Sequence, residues 1–213
     1  MHKNLITCVI FGHKADVKVH GENEQVSGRI VCIKPDVMHG VIVPEGGADV
    51  LYLDGVKLPS DYADFSLLDN VWADIPEAFH CANKKRFSEL RSALNSNFST
   101  DDQKILAIIE RLYVHPLERM SQDELAQHLG MERTQALKLF KRVTGQTFRR
   151  FKKWAASVTV TSSVFNDGLI IGHAGLDAGF SDAAHTSRTA REVFGLTPTD
   201  GVNSLKGIST LLA

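Results

Sequence analysis

Hydrophobic positions change their rhythm about halfway along the chain. Up to residue 58 they come in short runs, "NLITCVIFG", "DVKVH", "RIVCIK", "GVIVP" and "DVLYLDGVKL", broken by Gly12, Gly21, Pro35-Asp36, Gly46-Gly47 and Asp54-Gly55. Short apolar runs bounded by turn residues predict a small antiparallel sheet or barrel. The following stretch, "PSDYADFSLLDNVWADIPEAFHCANKK", mixes both rhythms and holds two prolines, so it reads as the exit of the sheet and a connector. "KKRFSELRSALNSNF" then spaces Phe87, Leu90 and Leu94 at helical intervals. That predicts an amphipathic helix that packs on the sheet or pairs with its copy in a second chain.

From Thr100 the spacing is helical. Thr100 and Gln103 predict a capping box, and Ile105, Ile108, Ile109 and Leu112 follow at i, i+3, i+4 and i+7. His115-Pro116 predicts the end of that helix, because a residue before proline is pushed out of helical geometry. Ser121 and Glu124 predict a second capping box, opening a short helix through Leu125, Ala126 and Leu129, with Gly130 supplying a tight turn. A third helix runs over "QALKLFKRV", with Ala136, Leu139, Phe140 and Val143 inward and Thr134, Lys138, Lys141 and Arg142 outward; Thr144-Gly145 ends it. Helix, tight turn, helix is the geometry that lays a second helix in the major groove of DNA, and it is also that of an ordinary solvated hairpin. The pattern alone fits both.

Charge shifts that balance. The net charge of -1 is uninformative, but residues 131–155 hold 8 Lys/Arg against 1 Asp/Glu, whereas residues 1–83 hold 6 against 12. The first of these is a candidate anion-facing surface, and Arg149-Arg150 and Lys152-Lys153 supply four of its eight cations. Composition otherwise is that of a globular protein, 43% hydrophobic and 23% charged. Cys8, Cys32 and Cys81 form no CxxC, which argues against structural zinc and for a reducing, cytoplasmic setting. The apolar run Leu5 to Phe11 is short and lacks a cleavage pattern, so it reads as a strand rather than a signal peptide, and no stretch is long enough to span a bilayer.

The segment "MSQDELAQHLGMERTQALKLFKRVTGQTFRRFKKW", followed by "AGFSDAAHTSRTAREVFGLTPTD", resembles the two helix-turn-helix units of the AraC/XylS family of transcription regulators, over about 100 residues. Leu125, Ala126, Leu129, Phe140, Lys141, Gly145, Gly179, Phe180, Ser181, Arg188, Phe194, Gly195, Thr197 and Pro198 carry the match, and the distance from Phe151 to Gly179 fits the family's linking helix. The resemblance implies that Gly179-Phe180 is the turn and core anchor of the second unit, Ser181 its N-cap and Ala183 to Val193 its recognition helix. It also implies DNA contacts from Arg133, Thr134, Leu137 and Lys138 in the first unit and from His185, Arg188 and Arg191 in the second. Lys141 and Arg142 join the DNA-contacting set, and Arg142, Arg149, Arg150 and Lys153 are candidates to hold phosphates or support the scaffold. The chain departs from the family at Thr186 and Ala190, where bulky aromatics are usual, at Ala155, commonly Arg, and at Ala174 and Gly175, where a bulky aliphatic and Ala are usual. Together with the β-branched "AASVTVTSSVF", these predict a loosened second unit.

The front half resembles the family's cupin-like β domain more faintly, through "GRIVCIKPDVMHGVIVPEGGADVLYL", which makes His39 a candidate effector contact. Fifty-odd residues are short for a whole barrel. His13 and His20 are conceivable companions of His39, yet no carboxylate motif accompanies them, so neither a metal site nor a metal-dependent cupin enzyme can be assembled. The expected fold is α+β: a small antiparallel cupin-like domain over 1–83, a linker helix over 84–100, and an all-α domain over 101–213 with two helix-turn-helix units joined by a long helix. The expected function is sequence-specific DNA binding in transcription regulation, with no catalysis, metal or cofactor. Expected partners are double-stranded DNA, with RNA polymerase, a small effector and a second copy as candidates, and no membrane. The alternative is an interaction protein whose worn second unit acts through protein partners.

Overall fold

In the computed structural model, residues 1–94, 99–115, 120–195 and 197 are described. Two compact units divide between residues 98 and 99. The first holds eight strands, β1 (His2–Lys3), β2 (Thr7–Gly12), β3 (Val17–His20), β4 (Gln25–Gly28), β5 (Ile30–Ile33), β6 (Met38–Ile42), β7 (Ala48–Leu53) and β8 (Phe65–Leu67), then helices α1 (Ile75–His80) and α2 (Lys84–Leu94).

The strands form two four-stranded antiparallel sheets, ordered β1-β6-β3-β4 and β7-β2-β5-β8. Side chains alternate along a strand, so Cys8 and Ile10 of β2 share one face and join Val31, Ile33 and Phe65 from their own sheet and Val17 and Val19 from the other in one core. Val9, Phe11 and Cys32, on the opposite face, are buried as well. Burial on both faces explains why β2 and β5 read as unbroken apolar runs. Burial pushes both interior thiols up, Cys32 to about 12, and Cys8, Cys32 and Cys81 are all free. Helices α1 and α2 bury Ile75, Ala78, Phe87, Leu90 and Leu94, and the charge of Arg91 on α2 lies near Asp54, just beyond β7.

Three strands were not expected from the sequence: β1, which precedes the first apolar run and pairs with β6 through His2↔His39, and β4 and β8. Strand β8 lies in the presumed connector and closes the sheet beside β5 in the register Ile33↔Phe65. Strand β4 holds a single apolar residue, Val26, and pairs with β3 along Val17↔Gly28 to His20↔Gln25.

The second unit comprises α3 (Thr100–Val114), α4 (Gln122–Leu129), α5 (Arg133–Thr144), α6 (Phe148–Asn166), α7 (Ile171–Asp177) and α8 (Ala183–Phe194). The fold is thus an antiparallel β region followed by helices, with two helix-turn-helix pairs, α4–α5 and α7–α8, on either side of the 19-residue α6. Helix α6 forms despite its β-branched content. The hydroxyls of Ser157, Thr159 and Thr161 donate to the carbonyls of Lys153, Ala155 and Ser157 one turn back, which satisfies them inside the helix.

Two caps differ from the expected ones by one residue. Helix α3 is capped by Ser99, whose N–H donates to the Asp102 carboxylate, in place of Thr100 and Gln103. Helix α8 is capped by Asp182, whose Oδ1 accepts the His185 N–H at 2.7 Å, in place of Ser181. In both cases a carboxylate lies within reach of the free N–H groups and the positive end of the helix dipole, where it outcompetes the neighbouring hydroxyl or amide. Helix α3 ends at Val114 as expected; Pro116 and Pro198, both named in the sequence reading, lie outside the described residues.

Candidate nucleic-acid interface

The first hairpin is built from local chemistry. The Ser121 hydroxyl accepts the Glu124 N–H at 3.1 Å while the Glu124 carboxylate accepts the Ser121 N–H at 2.6 Å, and these bonds hold that carboxyl below its ordinary pKa. Gly130 takes φ 64°, a left-handed turn that a side chain would strain. Helix α5 then starts at Arg133, two residues earlier than its apolar rhythm suggested, because Glu132 accepts the N–H groups of Thr134 and Gln135. Ala136, Leu139, Phe140 and Val143 are buried, with Phe140 packed edge-on against Phe148 and Phe151 of α6 at 5.1 and 5.3 Å.

The second hairpin repeats this plan 50 residues later. Helices α5 and α8 each span 12 residues, each has an acidic N-cap, Glu132 and Asp182, and each ends on a glycine at φ 74°, Gly145 and Gly195. Position by position, Lys138 corresponds to Arg188, Lys141 to Arg191, Ala136 to Thr186 and Phe140 to Ala190. The small residues at 186 and 190 are buried, at 1% and 2% exposure. The space is taken up by closer helices: a Cβ placed on Gly175 of α7 would lie 2.2 Å from the Thr186 Oγ1. The expected loosening is therefore offset locally, since Gly175 and Thr186 fit each other. Trp154 of α6 ties the assembly together, donating Nε1–H to the Tyr113 hydroxyl of α3 at 2.7 Å and packing 5.2 Å from Phe194 of α8.

The candidate contact residues separate by what holds them. Lys138, Lys141, Arg188 and Arg191 are exposed on the outer faces of α5 and α8 and form no ion pair with the described residues. Thr134 is exposed beside Lys138, and Leu137 is half-buried on the flank. Arg133 is exposed but engaged, donating to Gln122 Oε1 at 2.6 and 3.1 Å and lying 3.7 Å from Asp123, so it braces α5 against the start of α4. Arg142 lies 3.5 Å from Asp102. His185 is half-buried, its ring against Phe180 and its Nδ1 3.1 Å from the Ser181 hydroxyl, so it doubles as part of the turn. Arg149 and Arg150 are exposed. Lys153 pairs with Glu192 of α8, and Lys152, whose ammonium burial pushes below its ordinary pKa, donates to the Met120 carbonyl.

His39 lies inside the β unit at 1% exposure. Its Nδ1 is 2.9 Å from the Val37 carbonyl and its Nε2 faces the Asn4 amide at 3.4 Å, while Asn4 Oδ1 lies 3.0 Å from His2 Nε2. Desolvation lowers the pKa of both histidines. His13 lies 2.9 Å from Asp49 and 3.1 Å from the Gly46 carbonyl, and it shares neither partner with that network. Among the described residues no group of three His, Cys, Asp or Glu side chains has the arrangement of a metal site, and no helix is long and apolar enough to cross a membrane.

Two hairpins with cationic outer faces are joined by one long helix, and residues 125–202, from within α4 to beyond α8, match the family model described as a helix-turn-helix domain. This segment is of the AraC type found in DNA-binding transcription regulators, in agreement with the sequence resemblance. In fold the chain is similar to ToxT of Vibrio cholerae. An apo ToxT variant from strain SCE256 aligns with a TM-score of 0.61 at 12% identity, over 96% of this chain and 92% of that one. Wild-type ToxT of the same strain, solved with unsaturated fatty acid bound, aligns at 0.58 and 16% identity over 98% and 91%. A transcriptional regulator of Chromobacterium violaceum with an AraC-type DNA-binding domain aligns at 25% identity over 51% of this chain and 100% of its own, with a TM-score of 0.45. No curated protein matches the chain.

Proposed function

We propose that this protein reads a two-part DNA site, with α5 and α8 entering successive major-groove segments on one face of the duplex, about 34 Å apart. The observation that carries this reading is the 50-residue repeat: two helices of the same length, each with an acidic N-cap and a glycine C-cap, and each presenting exposed cations that form no ion pair with the described residues, Lys138 with Lys141 and Arg188 with Arg191. Lys138 and Arg188, at the centre of the outer faces, read base edges; Lys141 and Arg191 meet phosphates. Arg133 and His185, already bonded within the turns, contribute to the interface mainly by fixing how each reading helix starts, with Thr134 and Leu137 beside them.

The β unit serves as the responsive part, sensing a small effector or pairing two copies. The likeness of fold to ToxT, which has been solved with a bound fatty acid, supports an apolar acid as effector. His39 would take part by exchanging its long 3.4 Å contact with Asn4 for the ligand. A second reading, action through a protein partner such as RNA polymerase, is favoured by one observation: Leu169, Ile170 and Leu176 stand exposed around α7, at 40%, 69% and 56%.

The test is binding of the full chain to duplexes enriched from a random pool. Lys138→Ala and Arg188→Ala should each weaken binding to the enriched duplex far more than to random DNA. Equal losses on both duplexes would reduce those residues to phosphate contacts, and no binding by the unaltered protein would leave the partner reading in place.

A further inference from the structure

The last turn of the first reading helix holds one cation in an unusual setting. Arg142 is half-exposed, yet its Nη1 sits 3.5 Å from Oδ1 of Asp102, whose side chain is 5% exposed. Asp102 Oδ2 is occupied by the Ser99 N–H. Oδ1 is buried and accepts no hydrogen bond from the described residues, so Arg142 is the charge that compensates it. A buried carboxylate without such compensation is costly, and this holds the guanidinium in place. A guanidinium carries five N–H donors in a fixed fork; with one end turned to Asp102 the rest stay available. Those donors border an open groove lined by Asp101, Met131, Gln135, Lys138, Leu139 and Arg142, and so lie next to Lys138 of the reading face.

The second unit supplies an internal comparison. Fifty residues on, the position of Arg142 is taken by Glu192, which pairs with Lys153 of α6. In both units this flank of the reading helix is ionically tied to the helix that precedes the unit, α3 or α6. In the first unit alone the member on the reading helix is a cation with donors to spare.

We propose that Asp102 is a positioning residue for DNA binding: it holds Arg142 of α5 in a fixed orientation so that the outward side of its guanidinium meets a DNA phosphate beside the groove segment read by Lys138. The proposal rests on the DNA-binding reading above and adds to it a residue that touches no DNA.

Simple electrostatics and positioning predict opposite signs. Removing any carboxylate near DNA should tighten binding, because a negative charge facing phosphates is lost. Positioning requires the reverse at Asp102 alone. The experiment measures binding of the full chain to the enriched duplex and to random DNA across a salt series, for Asp102→Asn, Arg142→Gln, the double variant and Glu192→Gln. Asn still accepts the Ser99 N–H, and Arg142 is half-exposed, so at least one variant of the pair keeps the fold, as thermal unfolding checks. The expected result is a several-fold loss for Asp102→Asn on both duplexes, with the slope of log K against log salt reduced by up to about 0.9, the share of one phosphate. Arg142→Gln gives the same loss, the double variant no more, and Glu192→Gln none. Tightening by Asp102→Asn, or additive losses in the double variant, would overturn the proposal while leaving the DNA-binding reading intact. Loss of the Lys138→Ala effect as well would remove that reading, and this proposal with it.

Discussion

Gly175 of α7 faces Thr186 of α8 so closely that an added Cβ would lie 2.2 Å from the threonine Oγ1 and 3.2 Å from its Cβ. That hydroxyl is also committed, donating to the Asp182 carbonyl at 2.9 Å, so it cannot swing aside without breaking a bond. The two residues, each small where bulkier ones are usual in the resembled family, act as one adjustment.

Gly175→Ala should therefore destabilise the second unit by about 1–3 kcal/mol, the usual cost of overpacking. Thr186→Ala in the same chain should recover most of that loss, because it removes the atoms in the way. Denaturant unfolding of the two single variants and the double gives the coupling directly. Additive effects would mean that α7 and α8 stand further apart than described.

Asp182→Ala should shorten α8 at its start and cost about 1 kcal/mol, the value of a lost N-cap. Ser181→Ala should cost less, since Ser181 supports the cap by donating to Asp182 Oδ2 at 3.1 Å without capping the helix itself. Amide exchange at Ala184 and His185 reads this out, and faster exchange in Ser181→Ala than in Asp182→Ala would return the cap to Ser181.

This pair of residues also shows what was legible in the sequence. The Ser121–Glu124 box, the Gly130 turn and the buried faces of α3 and α5 are set by contacts within one or two turns, and their residue types announce them. At "STDDQ" and "FSDAA" two adjacent candidates compete, and only the reach of the carboxylate in three dimensions decides between them. The fit of Gly175 to Thr186, the burial of His39 and the membership of β8 in a sheet depend on partners far along the chain, which periodicity does not reveal. The same holds for Arg133 and Arg142: both were legible as outward cations, but their ties to Gln122 and Asp102 were not.

The buried histidine network makes the β unit acid-sensitive. His39 and His2 have pKa values lowered mainly by burial, so the folded protein binds fewer protons than the unfolded chain once pH falls below the ordinary histidine value of about 6.5. Their contribution to stability is whole above that value and is lost as pH drops toward the folded pKa. Charging His39 would also turn a second N–H toward the Asn4 amide, donor against donor. His2 and His20 face the same neighbourhood from β1 and β3, and either charge would oppose that of His39. Urea midpoints should fall between pH of about 7.5 and 5.5 in the unaltered chain and fall less in His39→Gln. An equal fall in both would place the acid sensitivity elsewhere.

Glu124 and Asp182 act at lower pH. Their bonds to free helix N–H groups hold both carboxyls below the usual range, so the stability they give persists above the ordinary carboxylate pKa and is lost as pH falls through their folded values. The helical unit should consequently keep its structure through the window in which the histidines titrate, and far-UV circular dichroism at about pH 5.5 should show the helices intact. Loss of helix signal at that pH would contradict this order.

If α5 and α8 both read DNA, the sequences that the purified full chain enriches from a random duplex pool at two salt concentrations will carry the mark of both helices. The expected result is a motif in two parts whose centres lie about one helical turn, roughly 10 base pairs, apart, with the second part lost in Arg188→Ala. A single short half-site that is unchanged by Arg188→Ala, or binding without sequence preference at either salt concentration, would contradict it.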